Sequence, residues 1–296
     1  MIGLAAALAA VSASAQAQKE WLFAYFHEPA TQGIHFALSH DGRHFTPINN
    51  DQSVIKPEQP GEVMRDVYVT QGPDGKYRMV WTWGWHGNSL GYAKSADLIH
   101  WSPQREIPVM QLFPDVRNVW APETYWDAGK GEWVLVWSSM LGDGPDGDRI
   151  YYSLTKDFSQ FTIPKLLFDP GYVVIDATIF HGANKYYLVF KDQTVQPLRY
   201  QIRYATGPSY EGPWSKPSAP ITESWSEGPS VVHAGDEYIV YYDHYRAPRR
   251  YEAVASSDWK RWSAINNQVS LPAHCKHGSF LEISLEEAAR LEAQWK

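Results

Sequence analysis

Five polar residues open five strand-like segments along this chain: Asp66, Glu123, Asp176, Glu227 and His277. Their spacings are 57, 53, 51 and 50 residues. Ionisable groups at one point of a repeating unit converge on an axis if the repeats close into a ring. Carboxyl groups gathered in that way can give a proton to a bound substrate and take one from it.

The elements that would position them follow from the pattern between these points. Each polar start leads into a hydrophobic strand, a tight turn, a second strand and a third. The turns are Gly72-Pro73-Asp74-Gly75, Ala128-Gly129-Lys130-Gly131, His181-Gly182-Ala183-Asn184 and Ala234-Gly235-Asp236, all hairpin signals. Third strands begin at Leu90, Ile150, Ile202 and Glu252, and a fifth copy, Ile34–Ser39, lies near the N-terminus. The fifth unit is split: Trp21–Phe26 supplies its second strand and Phe280–Ile283 its first. Pairing the two closes the ring, so the expected fold is an all-β, five-bladed β-propeller with four-stranded blades. Ser284-Leu285-Glu286-Glu287 has the form of a capping box. Residues 285–296 then read as a short C-terminal helix with Leu285, Ala288, Leu291 and Trp295 on one stripe.

The second strands run back to the same end of the channel. Their ends, Trp83-Gly84-Trp85-His86, Trp137-Ser138-Ser139, Lys191-Asp192, Asp243-His244-Tyr245-Arg246 and Phe26-His27-Glu28, are expected around one funnel. Carboxylates, imidazoles, cations and flat rings together suit a sugar, which needs polar clamps at its hydroxyls and a surface beneath its ring.

Trp120-Ala121-Pro122-Glu123, Ile175-Asp176-Ala177-Thr178-Ile179-Phe180, Glu227-Gly228-Pro229 and His277-Gly278 stand in order at blade spacing, with Arg65-Asp66 in the first blade. In these residues the chain resembles glycoside hydrolase family 43 over about residues 20–284. The resemblance implies catalytic roles for three acids: Asp66 as general base, Asp176 as the aspartate that tunes and orients the acid, and Glu227 as general acid. It implies that His277 supports a central calcium ion, and otherwise that no cofactor is required. Val67 stands where the family usually has proline, and Glu123 where it often has aspartate or an apolar residue, so Glu123 reads as structural.

The chemistry agrees. Inverting glycosidases hold two carboxyl groups about 6.5–9.5 Å apart, with a water between, and Asp66 and Glu227 fall in non-adjacent blades. A negative neighbour such as Asp176 would help Glu227 keep its proton, and Arg65 or Arg246 would keep Asp66 ionised. Expected substrate contacts are Trp83, Trp85, Arg117, His244 and Arg246. His274-Cys275-Lys276-His277 lacks the ligands of a zinc site, and Cys275 reads as a small buried residue.

The chain has 296 residues, a net charge of −7 and no Lys/Arg cluster, which argues against a nucleic-acid partner. Residues 1–17 read as a signal peptide ending in Ala15-Gln16-Ala17, too short and Ala-rich for a membrane span. Residues 18–296 then form one catalytic domain, periplasmic or secreted, monomeric, with a carbohydrate as partner. The expected activity is release of terminal α-L-arabinofuranose. β-Xylosidase and β-galactofuranosidase are competing assignments. A non-catalytic carbohydrate-binding propeller and a retaining fructan-type hydrolase are the other readings. The first is disfavoured by the differing blade starts, the second by the absence of Asn-Asp-Pro-Asn and Glu-Cys motifs.

Overall fold

The structure, a computed structural model, describes residues 19–59, 61–142 and 147–296. The segment read as a signal peptide lies outside the described residues. Five antiparallel sheets form the five blades. Blade one runs outward through Arg65–Gln71, Tyr77–Thr82, Leu90–Ser95 and Arg105–Ile107. Blade two follows with Trp120–Asp127, Glu132–Ser139, Arg149–Thr155 and Lys165–Phe168. Blade four comprises Ser226–Ala234, Glu237–His244, Arg250–Ser256 and Ser263–Ala264. In the closing blade the inner strand is Lys276–Ser284, paired with Lys19–Phe26, then Ile34–Ser39 and Thr46–Pro47. The seam pairs Lys19 with Ser284 and Phe23 with Phe280, so the chain's two ends close the ring as expected.

Blade three differs from the expected four strands: it has Val174–His181, Tyr186–Asp192 and Gln201–Gly207 only. The chain after Gly207 contains Pro208, Pro213, Pro217 and Pro220, and proline cannot donate into a ladder. That segment still follows the third strand, through Ser215 N–H to Thr206 O (2.8 Å), Ser218 N–H to Tyr204 O (2.7 Å) and Ile221 N–H to Ile202 O (2.9 Å).

Strand side chains alternate between the two faces of a blade, so each blade contributes to the apolar core on either side of it. Five separate cores result, one per blade interface. Met79 and Trp81 of blade one pack on Leu22 and Phe36 of the closing blade, while Val80 faces Leu135 and Trp137 of blade two. Val136 meets Phe190 between blades two and three, Val189 meets Val240 between three and four, and Tyr241 meets Phe23 between four and the closing blade. The helix Leu285–Gln294 starts with the capping box, Ser284 and Glu287 each satisfying the other's backbone N–H. It buries Ala288 and Leu291, and Trp295 lies edge-on to Phe36 at 6.2 Å. Leu285, expected on the same stripe, is exposed instead. Among the described residues no helix is long and apolar enough to cross a membrane.

Candidate active site

Every inner strand carries a β-bulge at the same place. Three steps along the inner strand match two on its neighbour between Arg65 and Tyr68, Trp120 and Glu123, Ile175 and Thr178, Glu227 and Ser230, and Lys276 and Ser279. A bulge re-aims the side chains beside it and increases local twist. The first bulged residues are Asp66, Ala121, Asp176, Gly228 and His277. Four of them are left-handed, with φ of 52° at Asp66, 47° at Ala121, 54° at Asp176 and 56° at Gly228.

This register corrects the equivalence read from sequence. Asp66, Asp176 and His277 do occupy one repeat position. Glu227 sits one residue earlier, level with Arg65, Trp120, Ile175 and Lys276. Glu123 sits beyond the bulge, level with Tyr68, Thr178, Ser230 and Ser279. It is buried, accepts a hydrogen bond from the Tyr125 hydroxyl, and its pKa is pushed up to about 8 by burial, as a structural carboxyl inside the blade.

A second repeat pins these bulges. The Thr82 hydroxyl accepts the Ala121 N–H (2.9 Å), the Ser138 hydroxyl accepts the Asp176 N–H (3.0 Å), and the Asp243 carboxylate accepts the His277 N–H (2.8 Å). Each acceptor belongs to the preceding blade. In blade three the equivalent residue is Lys191, which has no acceptor to offer. There the Gly228 N–H turns to the Asp176 carboxylate at 3.1 Å, and the Lys191 ammonium instead donates to Glu227 Oε2 at 2.9 Å. The Lys191 side chain is only 2% exposed and lies 4.5 Å from the centre of the Tyr245 ring and 5.3 Å from that of Tyr200.

Gly228 is required on two counts. Its φ is left-handed, and a Cβ there would sit 2.5 Å from His277 Cγ. Gly228→Ala should therefore lower thermal stability by about 1–3 kcal/mol and displace His277. A melting curve matching wild type would contradict this.

A cavity of about 200 Å³ opens at these bulges. Asp66, Asp176, Glu227, His277 and Asp243 form its charged floor with Lys191, and Arg65, Phe26, Trp85 and Trp120 wall it. Asp66 receives the Thr82 hydroxyl at 2.7 Å, lies 3.5 Å from Arg65 Nε and faces His277 Nδ1 at 3.4 Å. Burial alone would raise its pKa, but Arg65, His277 and Thr82 outweigh that and hold the carboxyl well below its usual range. Burial raises the Asp176 pKa, with the charges of Glu227 and Asp66 adding to it against His277 and Lys191. Asp243 is pushed up to about 6 by burial, despite Lys276 at 3.3 Å.

Burial would drive the His277 proton off, but Asp66, Asp176 and Asp243 raise its pKa to about 9. The folded protein thus holds this proton more tightly than the unfolded chain, where the ordinary value is 6.5. The contribution to stability is complete below pH 6.5 and is lost as pH rises through about 9. Thermal unfolding followed across that range should show the melting temperature falling on the alkaline side, less steeply in His277→Gln.

The other expected substrate contacts separate. Trp85 lines the cavity, 51% exposed, with the Arg65 guanidinium 4.1 Å above its ring. Trp83 does not reach the cavity: it packs beside Trp81, ring centres 5.9 Å apart, in the core between the closing blade and blade one. Arg117 is exposed on the loop before blade two, and its backbone bonds to Met140 and Gly87. Arg246 stacks over Trp225 at 5.2 Å, away from Asp66, so Arg65 is the cation that holds Asp66. His244 is half-buried beyond the cavity edge, paired along the blade with Ser226 and Arg250. Cys275 is buried, as expected.

A calcium ion takes six to eight oxygen ligands. One oxygen of each carboxylate around His277 is held by a protein donor: Asp66 Oδ2 by Thr82 and Arg65, Asp176 Oδ2 by the Gly228 N–H, and Asp243 Oδ2 by Lys276 and the His277 N–H. The imidazole itself faces Asp66. His277 itself offers a nitrogen, which is not among the oxygen ligands that calcium prefers.

The family described as a probable glycosyl hydrolase domain, related to glycoside hydrolase family 43, matches residues 16–289. An α-L-arabinofuranosidase of Bifidobacterium longum subsp. longum is 26% identical over 179 residues, which is 50% of this chain but 17% of that protein. The endo-1,4-β-xylanase structure from Bacteroides thetaiotaomicron superposes with a TM-score of 0.63 at 15% identity, covering 86% of this chain and 94% of that one. The Lactobacillus brevis α-L-arabinofuranosidase structure gives a TM-score of 0.57 at 17% identity, covering 69% and 72%. At such identities the structures share the propeller. With the family match spanning nearly the whole sequence, the chain belongs to the glycosyl hydrolase domains related to glycoside hydrolase family 43.

Proposed function

We propose that this protein is a secreted, inverting glycoside hydrolase that removes terminal α-L-arabinofuranose units. The observation that carries the reading is the convergence of Asp66, Asp176 and Glu227 on one cavity whose base is held ionised. Asp66 takes a proton from water as the water attacks the anomeric carbon. Glu227 gives a proton to the departing glycosidic oxygen. Lys191 holds Glu227 Oε2, which leaves Oε1 to carry that proton. Asp176 grips the N–H of Gly228, the residue after Glu227, and so positions the acid through its backbone. Asp66 and Glu227 belong to blades one and four, which are not neighbours in the ring, and this suits the wide separation that inversion needs.

At about 200 Å³ the cavity is smaller than the roughly 300–1,000 Å³ of ordinary ligand pockets. One sugar ring fits that scale, in keeping with action at a chain end. Trp85 and Trp120 offer the flat surfaces. The arabinofuranosidase assignment is supported by the name of the Bifidobacterium relative over the half of this chain that it matches.

The test is hydrolysis of nitrophenyl α-L-arabinofuranoside, β-D-xyloside and β-D-galactofuranoside, then of arabinan and arabinoxylan, with the first-formed anomer recorded by NMR. Arabinofuranose released with inverted configuration is expected. Retention would sink the inverting mechanism. Preference for xyloside or galactofuranoside would reassign the sugar, and sugar binding without hydrolysis would favour the non-catalytic reading.

A further inference from the structure

A second constellation lies on the closing blade, outside the cavity. His27 follows the strand Lys19–Phe26, His35 lies in Ile34–Ser39, and Asp51 ends the short turn Asn49–Asp51. One ligand atom from each of the three lies within 4.8 Å of the others. His27 Nε2 is 3.2 Å and His35 Nδ1 3.6 Å from the same Asp51 oxygen, Oδ1. Zinc–nitrogen and zinc–oxygen bonds of about 2.0–2.2 Å in a tetrahedron set ligand atoms roughly 3.3–3.5 Å apart. The two observed separations bracket that edge.

Proton bookkeeping at His27 points the same way. Its Nδ1 is 3.0 Å from the carbonyl oxygen of His274. A carbonyl only accepts, so Nδ1 carries the hydrogen, as in most metal-ligating histidines, whose other nitrogen donates to a carbonyl or carboxylate. Nε2 then faces Asp51 Oδ1, a position that a second ring proton or a metal cation can fill. His35 is buried at 2% exposure. Its Nδ1 lies 2.9 Å from the Asp51 carbonyl oxygen, and its Nε2 is buried without a hydrogen-bond partner. The same carbonyl rule puts the hydrogen of ion-free His35 on Nδ1, so a cation that takes Nδ1 displaces that proton to the unpartnered Nε2.

The surroundings are built to hold Asp51 in place. The Tyr25 hydroxyl donates to Asp51 Oδ1 at 2.5 Å. Asn49, Asn50 and Asp51 are three successive left-handed residues, with φ of 55°, 52° and 59°, a conformation that Asn and Asp enter more readily than other non-glycine residues. A groove lined by Thr31, Gln32, Ser53 and Lys56 opens onto His35 and Asp51, giving an ion and its waters a way in.

We propose that His27, His35 and Asp51 bind one divalent transition-metal ion of the zinc class. Two imidazoles and one carboxylate suit such an ion, whereas calcium and magnesium favour all-oxygen sets. The ion ties the left-handed turn to two neighbouring strands of the closing blade, Lys19–Phe26 and Ile34–Ser39. It also fixes His27, whose neighbour Glu28 holds Arg65 at 3.1 Å, so the seam site and the cavity wall share a backbone.

The test uses the full chain without an affinity tag, stripped with a chelator, dialysed and titrated with zinc chloride by calorimetry. Cobalt chloride supplies a visible absorption signal, and calcium chloride serves as the comparison. One equivalent of zinc is expected, with a raised melting temperature. Affinity should fall roughly tenfold or more in His27→Gln, His35→Gln and Asp51→Asn, and should persist in Asp66→Asn. Sub-stoichiometric binding, or full-affinity binding that survives in His27→Gln, would overturn the proposal. His27 sits at the edge of the cluster, so its variant keeps the test valid even if His35→Gln fails to fold, as circular dichroism will show.

Discussion

Replacing Glu227 by Gln should lower turnover by about 10²–10⁴-fold on natural linkages, the usual contribution of a positioned proton donor. The loss should shrink on dinitrophenyl glycosides, whose leaving group departs without a proton. Glutamine still offers an oxygen to the Lys191 ammonium at the Oε2 position, so the fold survives. Glu227→Ala should be equally inactive and also less stable. It leaves a 2% exposed lysine cation without its hydrogen-bonded carboxylate, and a buried charge left unpaired is destabilising. The measurement is kcat on matched substrates beside thermal unfolding. Near-wild-type turnover in either variant would remove Glu227 from the mechanism.

Asp66→Ala should lose a comparable factor, about 10²–10⁴, but with no dependence on the leaving group, because activation of water is needed whatever departs. This contrast separates the two carboxyls more sharply than the size of either loss. The substitution also takes away the acceptor of Thr82 and a partner of His277 and Arg65. The His277 proton should then leave at lower pH than in the native protein, since the hydrogen bond to Asp66 is the strongest influence holding it against burial. NMR of the imidazole in both proteins reads that shift directly. Equal losses on good and poor leaving groups for both variants would mean that base and acid have not been told apart.

The ring was legible because its signals are local and repeated. Hairpin turns, alternating strands and a unit divided between the chain ends survive any error in one copy, and the capping box at Ser284 is read from two side chains. Alignment across blades was harder. A bulge adds one residue without changing composition, and side-chain direction has a period of two, so a one-residue offset exchanges faces. Glu123 and Glu227 therefore looked equivalent to Asp66, although they stand on opposite sides of the bulge. Trp83 was expected near the sugar for a similar reason: only the path of the chain after Thr82 decides that Trp85 reaches the cavity and Trp83 the core. Lys191 was visible at a second-strand end, but its meaning needs the neighbouring blade. Thr82, Ser138 and Asp243 accept an N–H at that repeat position, and Lys191 donates to Glu227 instead. The His27, His35 and Asp51 cluster depends on a left-handed turn that no motif announces.

The cross-blade N–H bonds carry a consequence for how the enzyme comes into being. Four of the five inner strands take an N–H acceptor from the blade made before them, so the cavity is assembled as a relay. The last handover runs from Asp243 to His277, on a strand that is synthesised late and must then find the first strand of the described chain. Until that return is complete, Asp66 lacks its imidazolium partner and the cavity lacks a wall. On the proposed function, a nascent or truncated chain should therefore be silent toward glycosides even with all three acids present, and hydrolysis would report that the circle has shut.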